Sequence, residues 1–167
     1  MALRKIVVKG DPVLSKKARE ITEITDRIKL TLEDMVETMK NANGVGLAAP
    51  QVGILRRMFV AEPNPDEIYK LINPEIIERE GEVLDTEACL SVPGFFGKVV
   101  RPEKIKLKAL DENGNEKTYA FEGFAARVMC HEYDHLNGVL YTDVAKDVIS
   151  EEEAARIVEE AEKKHGA

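Results

Sequence analysis

Two of the three histidines in this chain stand four residues apart, in His131-Glu132-Tyr133-Asp134-His135. No other feature constrains the fold as much. On a helix, residues i and i+4 lie one above the other on one face. Both imidazoles can then share one small tetrahedral metal, with Glu132 beside the open position. The alternative is a helix that carries two histidines by chance, one capping or packed in the core. Glu at the second position and a Gly stop soon afterwards favour the metal. The helix is predicted to start near Gly123, run through His135 and stop at Asn137-Gly138.

A catalytic tetrahedral site needs a third protein ligand. The metzincin pattern, with a third His after His-Glu-x-x-His-x-x-Gly, is followed as far as Gly138 and then fails, because Tyr141 stands where that His belongs. A zinc endopeptidase would draw a Glu from a later helix, and Glu153, Glu159 and Glu160 are available on spacing. Glu151-Glu152-Glu153 reads better as a first helical turn favoured by the macrodipole. The remaining source is Cys89, since a thiolate with two imidazoles suits Zn²⁺ or Fe²⁺. A single Cys is otherwise more often a small buried hydrophobe.

The rest of the chain suggests α+β. Ile6-Val7-Val8, closed by Gly10-Asp11-Pro12, reads as a first strand and turn. Ile28, Leu32, Met35, Val36 and Met39 fall at helical spacing before Asn43-Gly44. Met58-Phe59-Val60 and Tyr69-Lys70-Leu71-Ile72 read as strands. Ile105 to Ala109 alternates with period two, and an Asn-Gly turn within 111–115 leads to a partner strand from about Lys117 to Phe121. A last helix carries Ala154, Ile157, Val158 and Ala161 on one face, read as core, with acids opposite. This order is not the strict alternation of a parallel α/β sheet. It predicts antiparallel sheets packed around the central helix, with a C-terminal helix.

A chain of 167 residues suits one domain, here 1–167. Its net charge of −7 argues against a protein that neutralises phosphate backbone over a broad face. Two Cys make no disulfide framework, and a reducing cytoplasm is the simpler setting. The apolar run at 6–8 is far short of a signal-peptide core, and no stretch reaches the length of a membrane span.

Three separated segments together resemble the motifs of the bacterial peptide deformylase family, in its order and spacing. They are Gly44-Val45-Gly46-Leu47-Ala48-Ala49-Pro50-Gln51, Glu87-Ala88-Cys89-Leu90-Ser91 and the His131–His135 segment. The likeness runs from Gly10-Asp11-Pro12-Val13-Leu14 to about Asp143. The first segment also fits a loose dinucleotide fingerprint, but a helical pattern precedes it and Pro50 bars a helix from continuing through it. Ala88 stands where the family most often has Gly. Its side chain disfavours a positive φ. The backbone there is therefore extended or differs from that of most relatives, and the methyl could narrow the cleft.

The resemblance implies removal of the N-formyl group from N-terminal methionine of nascent chains, with release of formate. It implies Cys89, His131 and His135 as metal ligands. Glu132 becomes the general base, and the backbone N–H of Leu90 and the side-chain amide of Gln51 the oxyanion donors. Gly46 would hold the peptide by strand-like hydrogen bonds. Val45, Phe96 and Val128 are candidates for the methionine slot, and each fits a core position equally well. Arg101 and Asp134 would pair beside the site. Cys130 reads as a buried inert thiol and His165 as exposed without a role. The implied metal is Fe²⁺ in the cell, with Zn²⁺, Ni²⁺ or Co²⁺ in isolated protein. Partners are N-formyl-Met peptides and nascent chains, with no membrane. From Glu151 onward six Glu stand against Arg156, Lys163 and Lys164, so no strong nucleic-acid binding is expected. The chain is expected to be a monomer. Two other readings remain at this point: a zinc endopeptidase using a downstream Glu, and a binding domain with a structural metal.

Overall fold

A computed structural model describes residues 2–165, with backbone alone for Lys164 and His165; the expectation for the His165 side chain therefore lies outside the described residues. Five strands form an antiparallel sheet in the order β1 (Gly46–Ala48), β2 (Met58–Asn64), β3 (Glu67–Glu80), β6 (Lys104–Leu110) and β7 (Glu116–Glu122). A second antiparallel sheet joins β4 (Val83–Cys89), β5 (Val92–Arg101) and β8 (Val148–Ser150). The helices are α1 (Asp26–Asn41), α2 (Phe124–Leu136), the single turn α3 (Tyr141–Val144) and α4 (Glu151–His165). The expected α+β architecture, with sheets around a central helix, is the one observed.

The five-stranded sheet lies between two helices, and its sequence shows why. Side chains alternate across a strand. Met58 and Val60 pack with Leu32, Met35 and Met39 of α1, while Phe59 and Ala61 pack with Ala126, Met129 and Leu136 of α2. The unbroken apolar run of β2 is thus buried on both faces. Burial contributes about 1.5–3 kcal/mol for each large apolar side chain. In β6 only one face is covered: Ile105, Leu107 and Ala109 join the α2 core, and Lys106 reaches Glu78 on the outside. Thr25 caps α1 by accepting from the Ile28 N–H at 3.2 Å, and Asn43, at φ 56°, turns the chain out of it.

Two expectations need correction, and one element was not expected. Ile6-Val7-Val8 is not a strand. Its segment makes single bonds, from the Val7 N–H to Gln51 O at 2.8 Å and the Lys9 N–H to Ser91 O at 2.7 Å, with no ladder. The apolar face of the last helix is not core, because Ile157 and Val158 are each 56% exposed. The β4–β5 hairpin, which carries the second motif, has no counterpart in the strand pattern read from sequence.

That hairpin is irregular. Its register runs evenly from Val83↔Arg101 to Glu87↔Gly97, then jumps to Cys89↔Val92. The segment from Pro93 to Phe96 therefore lies opposite Ala88 alone. β8 pairs along this bulge, Phe95↔Ser150 and Phe96↔Ile149. Ala88 lies within β4 and is not among the residues with positive φ, so of the two alternatives the extended backbone is the one observed, and Ala88 lines the cleft.

Candidate metal centre

Helix α2 begins just after Gly123, whose φ of 63° turns the chain sharply from β7. It ends before Gly138, at φ 75°, where a Cβ would collide with the backbone of Ser15. Between these limits the helical period stacks Arg127, His131 and His135 on one stripe, and the two imidazole centroids lie 5.0 Å apart. Cys89, at the end of β4, faces this stripe with its Sγ 3.4 Å from His135 Nε2. One ligand atom from each of Cys89, His131 and His135 lies within 4.8 Å of the others, and no further group of this kind occurs among the described residues. One sulfur and two imidazole nitrogens, buried and converging from two elements, fit a divalent cation of the zinc or ferrous type. Glu153, Glu159 and Glu160 are exposed on α4 and take no part.

A buried carboxylate supports the first imidazole. Glu87 accepts from His131 Nδ1 at 2.8 Å, which leaves Nε2 free to face Cys89 and His135. The same carboxylate accepts from Arg101 Nε and Nη2 at 2.8 and 2.9 Å and from Arg127 Nη1 at 2.7 Å. Burial alone would push the Glu87 carboxyl up, but the bonds from Arg101 and His131 outweigh it and hold the group well below the usual carboxylate range. Arg101 also donates to Asp134 at 2.6 Å, as expected for that pair. Sequence reasoning gave Glu87 and Arg127 no role. Two periods point to them: Glu87 stands two residues before Cys89 on a strand, and Arg127 four before His131 on a helix.

Glu132 is 4% exposed, and its Oε1 has no hydrogen-bond partner. Burial pushes its carboxyl up to about 7, against the opposing charge of His131. A Cβ on Gly46 would run into this carboxylate, so glycine there gives Glu132 its room. Gln51 is held at both ends of its amide. Its Oε1 accepts from the Ala48 N–H at 2.9 Å, and its Nε2 donates to Ser91 Oγ at 3.1 Å and points at Cys89 Sγ at 3.6 Å. The first motif is strand β1 followed by a 3₁₀ turn from Ala49 to Val52, so it opens no dinucleotide-binding helix. Cys130 is buried, and burial pushes its thiol up to about 11, in keeping with an inert group.

A cleft of about 490 Å³ opens onto these residues. Its walls include Val45, Gly46, Phe96 and Val128, together with Leu90 beside Cys89. They also include Phe95, Phe124 and Arg127, which sequence reasoning did not select. Tyr141, at the position where a third His was sought, stacks on His131 with centroids 6.1 Å apart.

The polypeptide deformylase family profile matches residues 3–151. The chain is 50% identical over 159 residues to the peptide deformylase of Caldanaerobacter subterraneus subsp. tengcongensis, covering 95% of this chain and 99% of that protein. It is 54% identical over 144 residues to peptide deformylase 1 of Clostridium perfringens, covering 86% and 98%. The crystal structure of peptide deformylase from Thermotoga maritima superposes with a TM-score of 0.84 at 44% identity, covering 87% of this chain and 99% of that one.

Proposed function

The chain belongs to the peptide deformylase family, and from that premise we propose how its residues carry the reaction. The enzyme removes the N-formyl group from the N-terminal methionine of nascent peptides by hydrolysis, releasing formate. In our reading Cys89, His131 and His135 are the metal ligands. The observation that carries it is their convergence, with Glu132, whose Oε1 has no partner, lining the same cleft as Cys89 and His131. A divalent cation there supplies Lewis-acid polarisation and activates water at neutral pH.

Glu132 takes the proton of the attacking water and returns it to the nitrogen as the C–N bond breaks, leaving formate and a free α-amino group. Attack on the formyl carbon builds negative charge on its oxygen. The Gln51 Nε2, already aimed by its bonds to Ala48 and Ser91, and the Leu90 N–H stabilise that charge. β1 is an edge strand of its sheet, so Gly46 can take the peptide as an added strand. Val45, Phe96 and Val128 bound the slot for the methionine side chain.

The metal is Fe²⁺ in the cell, replaceable by Zn²⁺, Ni²⁺ or Co²⁺ in isolated protein. The thiolate then requires a reducing compartment, which the cytoplasm provides. No helix among the described residues is long and apolar enough to cross a membrane. The enzyme works as one catalytic domain, 1–167, and as a monomer on formylated peptides and nascent chains, without strong nucleic-acid binding. The test is formate release from a short N-formyl-Met peptide by anaerobically prepared, Fe²⁺-loaded protein. Absence of formate overturns the reading, and metal fully retained by Cys89→Ala overturns the ligand set.

A further inference from the structure

We propose that Arg127 is a positioning residue, whose guanidinium ties the β4–β5 hairpin carrying Cys89 to the helix carrying both histidines. It thereby sets the distance between the thiolate and the imidazoles. This rests on the assignment of Cys89, His131 and His135 as ligands. Those ligands come from two elements that share no backbone ladder, so side chains must fix their separation. Arg127 lies one helical turn before His131 on the ligand stripe and is 7% exposed. It donates from Nη1 to Glu87 Oε2 at 2.7 Å and to Val99 O at 2.9 Å, and from Nη2 to Val83 O at 2.8 Å. One planar fork thus grips both strands of the hairpin and the carboxylate that orients His131.

Arg101 does not duplicate this role. It belongs to β5 and reaches α2 through Asp134, a quarter of whose side chain is exposed. An ammonium is a point charge and does not match three acceptors arranged for a fork. Arg127 also lines the cleft, so the residue that spaces the ligands forms part of the substrate wall.

The experiment uses the full-length protein loaded with Co²⁺, read by its thiolate-to-cobalt absorption band and by the rate of cobalt loss to a chelator. Arg127→Met keeps the stem and removes the fork; Arg127→Lys keeps the charge and serves as the test variant should the Met form fail to fold. The expected result is a shifted band and cobalt loss faster by about tenfold or more, the usual range for partners of metal ligands. A wild-type band and loss rate in a folded variant, even with a lowered Tm, overturns the role of Arg127. Cys89→Ala separates the two levels: loss of its band supports the ligand set, and retention of it overturns that set and the proposal with it.

Discussion

Helices α2 and α4 are close in length and both amphipathic, yet they are held in opposite ways. α2 buries Ala126, Val128, Met129 and Leu136 and is pinned by Glu87 and Arg101 through His131, Arg127 and Asp134. α4 buries none of its described side chains, and the one ion pair among them, Lys163 with Glu159 at 3.6 Å, is exposed and screened by salt. A 3.6-residue period therefore announces a helix without announcing what covers it. Where chemistry depends on sub-ångström placement, as at His131 and His135, the helix is fixed by buried polar bonds as well as by apolar packing.

The contrast can be broken at several points. Glu132→Gln is expected to lower kcat by about 10²–10⁴-fold while elemental analysis finds the metal still bound; near-normal turnover would remove Glu132 from the mechanism. Arg101→Met leaves the buried Glu87 carboxylate with one guanidinium fewer and should cost about 3–5 kcal/mol in urea unfolding. A cost under about 1 kcal/mol would show that the network does not pin α2. Met129→Ala, at a fully buried site on α2, should cost about 2–5 kcal/mol in the same assay.

Acid supplies a fourth probe. The Glu87 carboxyl is held below its ordinary value of 4.5, so the bonds it accepts stabilise the fold fully above that pH. They are lost progressively as the pH falls further toward the lowered folded-state pKa. In metal-free protein, Glu87→Gln should flatten the stability profile below about pH 4.5; an acid slope equal to that of the parent sinks this account. The smallest effect belongs to α4, where Ile157→Ala and Val158→Ala should each stay within about 0.5 kcal/mol. A cost as large as that at Met129 would mean that the exposed face is covered in solution.

Much of this was legible along the chain. The alternation in Ile105–Ala109, the Asn-Gly hairpin after it and the two amphipathic helices α1 and α2 all follow from periods that burial imposes. The β4–β5 hairpin escaped for a physical reason. Two of its buried positions are Glu87 and Arg101, so polar groups stand where a strand pattern would show apolar ones. Its bulge at Ala88 then breaks the period of two. Ile6-Val7-Val8 misled in the other direction, because a β-branched run has strand character but forms a ladder only if a partner strand lies alongside. At the site, the three ligands and Glu132 were read from motifs, whereas period puts Glu87 and Arg127 on the right faces and only contacts across 44 and 40 residues of sequence show what they bond.

What the sequence determined by itself is local. The 3.6-residue period places His131 and His135 on one face, Gly123 and Gly138 bound their helix, and three ordered motifs point to a family. What only the tertiary structure decided is distance between remote parts of the chain. Cys89 comes within 3.4 Å of His135 across 46 residues because an irregular hairpin is clamped against a helix. That approach depends on strand pairing, the bulge at Ala88 and the bonds through Glu87 and Arg127. None of these is a property of a short segment, because each depends on which surfaces meet once the apolar faces are buried.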